Sequence, residues 1–291
     1  MTVPARPTPL FADIADVSRR LAETGYLPDT ATATAVFLAD RLRQPPPVGG
    51  APPGREGQSA RAVAQATGSG LVRLQCYEGV DEARALYEWN HAKQILRIQA
   101  GSGDWEATKT DVFSEEFLLQ RPLLTAIRRT EPTVLLIDET DKADIEIEGL
   151  LLEVLSDFAV TVPELGTLTA TRAPFVLLTS NATRELSEAL KRRCLYLHID
   201  FPTPELERRI LLSRVPELPE HFAEELVRII GVLRGMQLKK VPSIAETIDW
   251  GRTVLALGLD TIDDAVVAAT LGVVLKHQSD QQRATGELRL N

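Results

Sequence analysis

The chain has 291 residues, 44% of them hydrophobic and 25% charged, which is typical of a globular protein large enough for two domains. Its net charge of −9 argues against a general nucleic-acid binder. Its apolar runs fall far short of the roughly 18 residues that a membrane span needs, and residues 1–20 lack a basic head followed by an apolar stretch, so we expect neither a span nor a signal peptide.

Two helices are predicted near the start of the chain, over residues 9–25 and 31–43. Apolar residues recur at helical spacing in the first helix, and Gly25 can end it. Residues 44–59 are rich in proline and glycine, which indicates a loop or a polyproline segment.

The middle of the chain alternates strands with helices, which favours a parallel α/β sheet. The predicted strands cover residues 71–76, 134–137, 175–181 and 194–201, and a β-hairpin covers residues 159–172. The predicted helices cover residues 60–67, 145–158 and 183–193, with another passing through Tyr87 and Trp89. An amphipathic helical region interrupted by Pro122 covers residues 111–129. Pro202 and Pro204 break this pattern, and the rest of the chain has helical periodicity. We therefore predict a core over residues 1–203, with a helical lead-in at 9–43, and a second domain over residues 204–291.

The apolar run at 134–137 is followed directly by two acids, Asp138 and Glu139. A continuous apolar run is typical of a strand buried on both faces, such as a central parallel strand. Such a strand delivers its last residues to the carboxyl edge of the sheet, where open α/β folds bind ligands. The two acids are therefore candidates for a site, and a solvated acidic tip is the alternative interpretation.

Several motifs, in this order along the chain, resemble those of the AAA+ ATPases. The likeness rests on Leu-Leu-Ile-Asp-Glu at 135–139, Leu-Thr-Ser-Asn at 178–181 and Leu-Lys-Arg-Arg-Cys-Leu at 190–195. A narrower resemblance, to the MoxR family and its CoxD-type branch, rests on Arg-Leu-Gln-Cys-Tyr-Glu-Gly at 73–79, Tyr-Glu-Trp-Asn at 87–90, Leu-Leu-Glu-Val-Leu-Ser-Asp-Phe at 151–158, Val-Pro-Glu-Leu-Gly at 162–166 and Ala-Glu-Thr-Ile-Asp-Trp at 245–250. The resemblance covers residues 10–280. It implies an α/β fold, a P-loop NTPase-type parallel sheet sandwiched by helices and followed by a small all-α lid domain.

The resemblance also implies roles for individual residues. Asp138 matches the aspartate of the Mg²⁺ site, and Glu139 matches the catalytic base that polarises the attacking water. Asn181 matches sensor 1, which helps to orient that water, although an asparagine can also simply end a strand.

Three arginines match positions of positive charge in the same family. Arg192 or Arg193 matches the arginine finger that is donated to a neighbouring subunit, and Arg252 matches sensor 2 on the lid. The alternatives are ordinary cations near a helix C-terminus for the first two and a solvated surface residue for Arg252. The two cysteines, Cys76 and Cys194, are interpreted as buried small residues, because they make neither a disulfide framework nor a metal site.

A phosphate-binding loop requires Gly-x-x-x-x-Gly-Lys-Ser/Thr. The only match in spacing runs from Gly49 through Gly54 to Arg55 and Glu56. Arg55 replaces the lysine, Glu56 replaces the hydroxyl that binds Mg²⁺, and two prolines between the glycines remove amide donors. The residues before the loop, Pro-Pro-Pro-Val, predict no central strand. We interpret residues 45–56 as a degenerate P-loop that impairs the binding of ATP and Mg²⁺.

The resemblance implies a chaperone-like remodeller that acts in an oligomeric ring, homomeric or heteromeric. Its expected partners are a protein with a von Willebrand factor A domain and a client metalloenzyme, for this branch a molybdenum hydroxylase such as carbon monoxide dehydrogenase. The alternative is a non-catalytic pseudo-ATPase that donates an arginine finger within the ring. A DNA-acting motor such as a helicase loader is a third interpretation, which the acidic charge disfavours. We expect a cytoplasmic protein without a nucleic-acid partner; whether ATP is hydrolysed stays open.

Overall fold

The computed structural model describes residues 9–42, 47–49, 55–100, 111–180, 184–195, 197–198, 200–259 and 261–288. The strands, in chain order, are β1 (Pro47–Gly49), β2 (Gly70–Gln75), β3 (Tyr87–Trp89), β4 (Leu118–Gln120), β5 (Thr133–Asp138), β6 (Ala159–Val162), β7 (Gly166–Thr169), β8 (Phe175–Ser180) and β9 (Leu197–His198). The helices of the first two hundred residues are α1 (Ile14–Glu23), α2 (Thr30–Leu42), α3 (Arg55–Thr67), α4 (Glu82–Ala85), α5 (His91–Ala100), α6 (Pro122–Arg128), α7 (Ile145–Asp157) and α8 (Glu188–Arg193). The helices that follow are α9 (Pro204–Arg214), α10 (Glu220–Gly235), α11 (Ile244–Ala256), α12 (Asp264–Val274) and α13 (Gln278–Glu287).

Five strands form one parallel sheet in the order β2, β5, β8, β1, β9. Strands β5 and β8 lie inside it and are buried along their whole length. Because both of their faces are covered, every side chain from 134 to 137 is apolar, as the sequence pattern indicated.

Alternate residues of β5 pack against different helical layers, since successive side chains of a strand point to opposite faces. Val134 and Leu136 share a hydrophobic cluster with residues of α1, α2 and α3. Leu135 and Ile137 share another with residues of α4, α6, α7 and α8. The predicted sandwich of a parallel sheet between helices is confirmed.

The prediction that no central strand precedes residue 49 is wrong. Strand β1 lies between β8 and β9, with Val48 aligned to Thr179 on one side and to Leu197 on the other. Proline does not prevent this strand, because β1 is three residues long and Pro47 is its first residue, where a missing N–H is tolerated.

Two predicted helices also differ from the structure. The segment through Tyr87 and Trp89 is strand β3, which pairs antiparallel with β4, and the rings of Tyr87 and Trp89 meet edge to face at 6.2 Å. The predicted helical region at 111–129 contains strand β4 before its predicted break at Pro122, and α6 begins with that proline. The predicted hairpin at 159–172 is confirmed as the antiparallel pair β6 and β7.

The five helices after residue 203 surround a hydrophobic cluster of their own, which contains the fully buried Trp250. The predicted all-α part after the sheet is thereby confirmed, while a domain boundary between residues 203 and 204 stays a prediction. No helix in the described ranges combines the length and apolarity needed to cross a membrane.

A buried ion pair connects α9, α10 and α11. Arg234 donates to both carboxylate oxygens of Glu207, at 2.5 and 2.8 Å, and Nε donates to the carbonyl of Pro242 at 2.9 Å. Thr247 adds a hydroxyl donor to Glu207 at 2.8 Å. The carboxylate of Glu207 therefore accepts hydrogen bonds from three donors, and this residue is only 1% exposed.

Replacing Glu207 with alanine should destabilise the helical part by about 3–5 kcal/mol, because Arg234 would remain buried without its counter-ion. Urea unfolding followed by tryptophan fluorescence measures this loss, with Trp250 as a reporter in the neighbouring helix. Glu205→Ala is the matched control, since Glu205 lies on the same helix but its side chain is 67% exposed. Equal unfolding midpoints for the two variants would contradict the assignment.

Candidate functional site

Strands β1 and β8 are neighbours whose following connections diverge. After β1 the chain runs through α3 to β2 on one side, and after β8 it runs through α8 to β9 on the other. Ligands of open α/β sheets bind at such a divergence, outside the carboxyl ends of the strands. The candidate functional site therefore lies at this edge of the sheet.

A cluster of hydrogen bonds, which we call the Thr179 junction, connects the ends of β5 and β8. Thr179 donates its hydroxyl to Asp138 Oδ1 and accepts from the backbone N–H of Glu139 at 2.9 Å. Thr140 donates its hydroxyl to the carbonyl of Thr179 at 2.6 Å. Thr179 and Thr140 are at most 1% exposed, so water competes little for these bonds.

Thr179 was not predicted as a site residue. It lies inside the motif at 178–181, and the only signal was a hydroxyl following the apolar residues 175–178 of a buried strand. A buried hydroxyl needs a partner, but the sequence does not show that the partner is Asp138.

Glu139 has a left-handed backbone, with φ 55° and ψ 48°. This conformation costs a non-glycine residue on the order of 1–2 kcal/mol, and the bond from its N–H to Thr179 helps to hold it. Its carboxylate forms an ion pair with Lys142, whose pKa is raised by the hydrogen bond to Glu139. The predicted base therefore lies at the carboxyl edge, paired with a lysine in the next turn.

Asp138 is held by an arginine that the sequence analysis did not single out. Arg73, on the neighbouring strand β2, donates Nε to Asp138 Oδ2 at 3.1 Å and also donates Nη2 to the same oxygen. Since Thr179 donates to Oδ1, both oxygens of the carboxylate accept hydrogen bonds from protein groups.

The Mg²⁺ ion implied by the resemblance does not fit this arrangement. A divalent cation would have to displace the Arg73 guanidinium from Asp138, and the two cations would repel each other. The described residues also contain no cluster of three or more histidine, cysteine or acidic side chains that could hold a metal. The role of Asp138 as a magnesium ligand stays a prediction.

An open cleft of about 420 Å³, which we call the arginine-lined cleft, lies between the core and the final helices. Its lining comes from the segment after α1 and from α3, α9 and α11: Thr24, Tyr26, Gln58, Arg61, Ala62, Gln65, Arg214, Ala245, Ile248, Asp249 and Arg252. Three of these residues are arginines and only one is acidic, which suits an anionic ligand. The cleft starts within one turn of the N-terminus of α3.

Arg252, the predicted sensor 2, is one of the residues lining this cleft. Its Nη1 lies 3.3 Å from Asp249 one turn earlier, and both side chains are 61% exposed. Arg61 and Arg214, which also line the cleft, had no signal in the sequence, because a single arginine on a helix resembles any surface residue.

Arg192 and Arg193 lie in the last turn of α8 and are exposed. Arg193 donates a hydrogen bond to the hydroxyl of Ser156 near the end of α7. No contact in the described part of the chain joins either arginine to Asp138 or Glu139. Both remain predictions for a subunit contact.

Of the predicted loop residues, the structure gives Gly49 at the end of β1 and places Arg55 and Glu56 at the start of α3 by their backbones. Gly54 and Asn181 lie outside the described residues. A strand that ends at Gly49 and a helix that begins at Arg55 have the order and spacing that the phosphate-binding motif requires.

A second polar group anchors the segment that leads from β8 into α8. Glu148 on α7 is 2% exposed; it pairs with Arg184 and accepts the backbone N–H of Ser187 at 2.9 Å. Burial acts to raise the pKa of Glu148, but the hydrogen bonds from Ser187 and Arg184 outweigh it, so this pKa lies below its ordinary value.

The Cys76 thiol lies beside the site and is fully buried. Burial raises the pKa of Cys76 to about 12, and the nearby carboxylates of Asp138, Asp141 and Glu139 act in the same direction. Burial also raises the pKa of Cys194 to about 12. Both thiols stay protonated at neutral pH, which makes them poor nucleophiles and metal ligands.

Comparisons with solved structures give the RuvB protein of Thermotoga maritima several times. One single-residue variant of that protein aligns with a TM-score of 0.48 at 14% identity, over 100% of this chain and 74% of that chain. A second variant gives 0.47 at 14% identity over 95% and 70%. A structure titled Holliday junction branch migration motor gives 0.44 at 17% identity over 94% and 70%.

No protein-family model matches the chain, and no curated protein matches it. TM-scores of 0.44 to 0.48 at 14–17% identity do not establish a family. The description of the fold rests on the strand order and the helical layers of the chain itself.

Replacing Glu148 with glutamine should lower the free energy of unfolding by on the order of 1–3 kcal/mol at pH 7. Because the pKa of Glu148 is lowered by folding, its charge stabilises the fold above the unfolded pKa. That contribution is lost as pH falls below about 4.3.

Urea unfolding at pH 7 and pH 4 measures this difference, which should shrink at the lower pH. Glu153→Gln, at an exposed position beyond the first turn of the same helix, should leave both unfolding curves unchanged. A difference that is the same at both pH values would contradict the role given to the Glu148 charge.

Proposed function

We propose that the chain is an AAA+-type protein that binds ATP at the carboxyl edge of its sheet and hydrolyses it slowly. The supporting observation is the Thr179 junction, which fixes two acids at the end of β5, with β8 alone between β5 and β1, the strand that precedes α3. The arginine-lined cleft beside α3 supplies positive charge for the triphosphate.

Slow turnover follows from the state of the two acids. The ion pair with Lys142 engages one oxygen of Glu139 and makes its carboxylate a weaker base, and Asp138 is paired with Arg73. The replacements Arg55 and Glu56 in the loop motif act in the same direction.

The biological role that we propose is that of a MoxR/CoxD-like remodeller. On this proposal, the chain works in an oligomeric ring, homomeric or heteromeric, in the cytoplasm. It acts beside a protein with a von Willebrand factor A domain and matures a client metalloenzyme, such as a molybdenum hydroxylase of the carbon monoxide dehydrogenase type. The support is the set of motifs in the sequence analysis and the exposure of Arg192 and Arg193, which leaves them accessible to a neighbour.

The second candidate is a non-catalytic pseudo-ATPase, an assembly subunit that donates Arg192 or Arg193 to an active neighbour in the ring. The specific observation in its favour is that both acids of the site are already ion-paired within the chain. An arginine finger can raise turnover in the neighbour by about 10³–10⁵.

Steady-state ATP hydrolysis by the purified protein separates the two candidates. Under the first we expect turnover below about 1 s⁻¹, at the low end of the usual range for enzymes, and a loss of about a hundred-fold or more in Glu139→Gln. Glu131→Gln, an exposed acid at the opposite end of the sheet, is the matched control.

Under the second candidate, neither the protein nor its variants release phosphate, and micromolar binding of Mg·ATP would contradict it. Turnover that is unchanged by Glu139→Gln would remove Glu139 from the role of base. Absence of both binding and turnover would contradict the first candidate.

A further inference from the structure

Arg73, which contacts Asp138, lies outside the motif at 135–139 that contains this aspartate. Arg73 is aligned with Leu136 in the pairing of β2 and β5, so it lies on the same face of the sheet as Asp138. That face is covered by the layer of α1, α2 and α3, because Leu136 packs there. Arg73 therefore lies on the side of the sheet that α3 covers.

The contact between Arg73 and Asp138 is specific in its geometry. Two N–H groups of one guanidinium edge, Nε and Nη2, converge on Oδ2, while Oδ1 accepts from the buried hydroxyl of Thr179. Nη2 also donates to Gln75, which orients the guanidinium further. The Asp138 side chain is 13% exposed and that of Arg73 is 48% exposed. The guanidinium of Arg73 is thus fixed on Asp138, while part of the arginine side chain stays exposed to solvent.

A guanidinium has the properties that this position requires. It stays protonated at all accessible pH values. With Nε and Nη2 donating to Asp138 and Gln75, the Nη1 group of Arg73 can donate to a phosphate oxygen. An arginine on Asp138 therefore supplies positive charge beside a triphosphate without a bound metal. It also opposes the entry of a divalent cation, since the carboxylate is already engaged and the like charges repel.

We propose that Arg73 takes the place of the divalent cation at Asp138, so that this chain binds the phosphates of a nucleoside triphosphate without Mg²⁺. The inference rests on the proposed function, because it concerns how the same edge of the sheet holds ATP. It differs from what the resemblance implies, which is a metal held by Asp138.

The test is a fluorescence titration of the whole protein with a labelled ATP, in excess EDTA and in excess Mg²⁺. The wild-type affinity should differ by less than about three-fold between the two buffers. Arg73→Gln should bind about ten-fold more weakly in EDTA, as expected for the loss of one charge-assisted hydrogen bond, and should recover affinity when Mg²⁺ is added.

Two further variants keep the test decisive. Arg73→Lys retains the charge and should keep more affinity in EDTA than Arg73→Gln, which separates loss of charge from loss of packing. Arg129→Gln, at the opposite end of β5 where Arg129 donates to Thr133 at 3.0 Å, should bind like the wild type in both buffers. Thermal melts of all variants report whether each one folds.

The results that overturn the inference differ from those that overturn the proposed function. A wild-type affinity that falls ten-fold or more in EDTA would show that a metal is required, and would leave ATP binding intact. The same holds if folded Arg73→Gln binds like the wild type in EDTA. If ATP binds in neither buffer, the proposed function fails and the inference fails with it.

Discussion

The hydrogen bonds of Thr179 are the constraint on which the rest of the site depends. One hydroxyl, buried in a parallel sheet, donates to the carboxylate of Asp138 and accepts the N–H of Glu139. It thereby fixes the direction in which the chain leaves β5 and helps to hold Glu139 in a left-handed conformation. Without this hydroxyl, the turn that follows β5 would lose the bonds that stabilise the left-handed backbone of Glu139. The two acids would then lose their fixed positions.

Charge is distributed unevenly around this edge. The acids at the strand ends are neutralised within the chain, Asp138 by Arg73 and Glu139 by Lys142. The arginine-lined cleft next to α3, by contrast, has three guanidinium groups and a single carboxylate. Although the whole chain has a charge of −9, the local balance favours an anionic ligand in this cleft. The net charge of the whole chain therefore does not predict the charge of the ligand that this cleft favours.

Much of the fold could be predicted from patterns of apolar residues, because burial on both faces leaves a clear signal at 134–137 and 175–178. Short elements could not. Strand β1 pairs with a strand on each side, although its proline has a low propensity for strands. A prediction from propensity alone was therefore wrong at this position. The acids of the site were found from their place after a buried strand, but Thr179, Arg73, Arg61 and Arg214 were not, since their roles depend on neighbours that are distant in sequence.

The proposed function places ATP at the carboxyl edge of the sheet, with the arginine-lined cleft beside α3 supplying positive charge for its phosphates. Titration of labelled ATP into Arg214→Ala measures this most directly, with Arg228→Ala as control, because Arg228 is an exposed arginine of α10 that pairs with Glu225 away from the cleft. The account predicts that Arg214→Ala weakens binding by about ten-fold and that Arg228→Ala leaves it unchanged. Equal affinities for the two variants would contradict the location of the site.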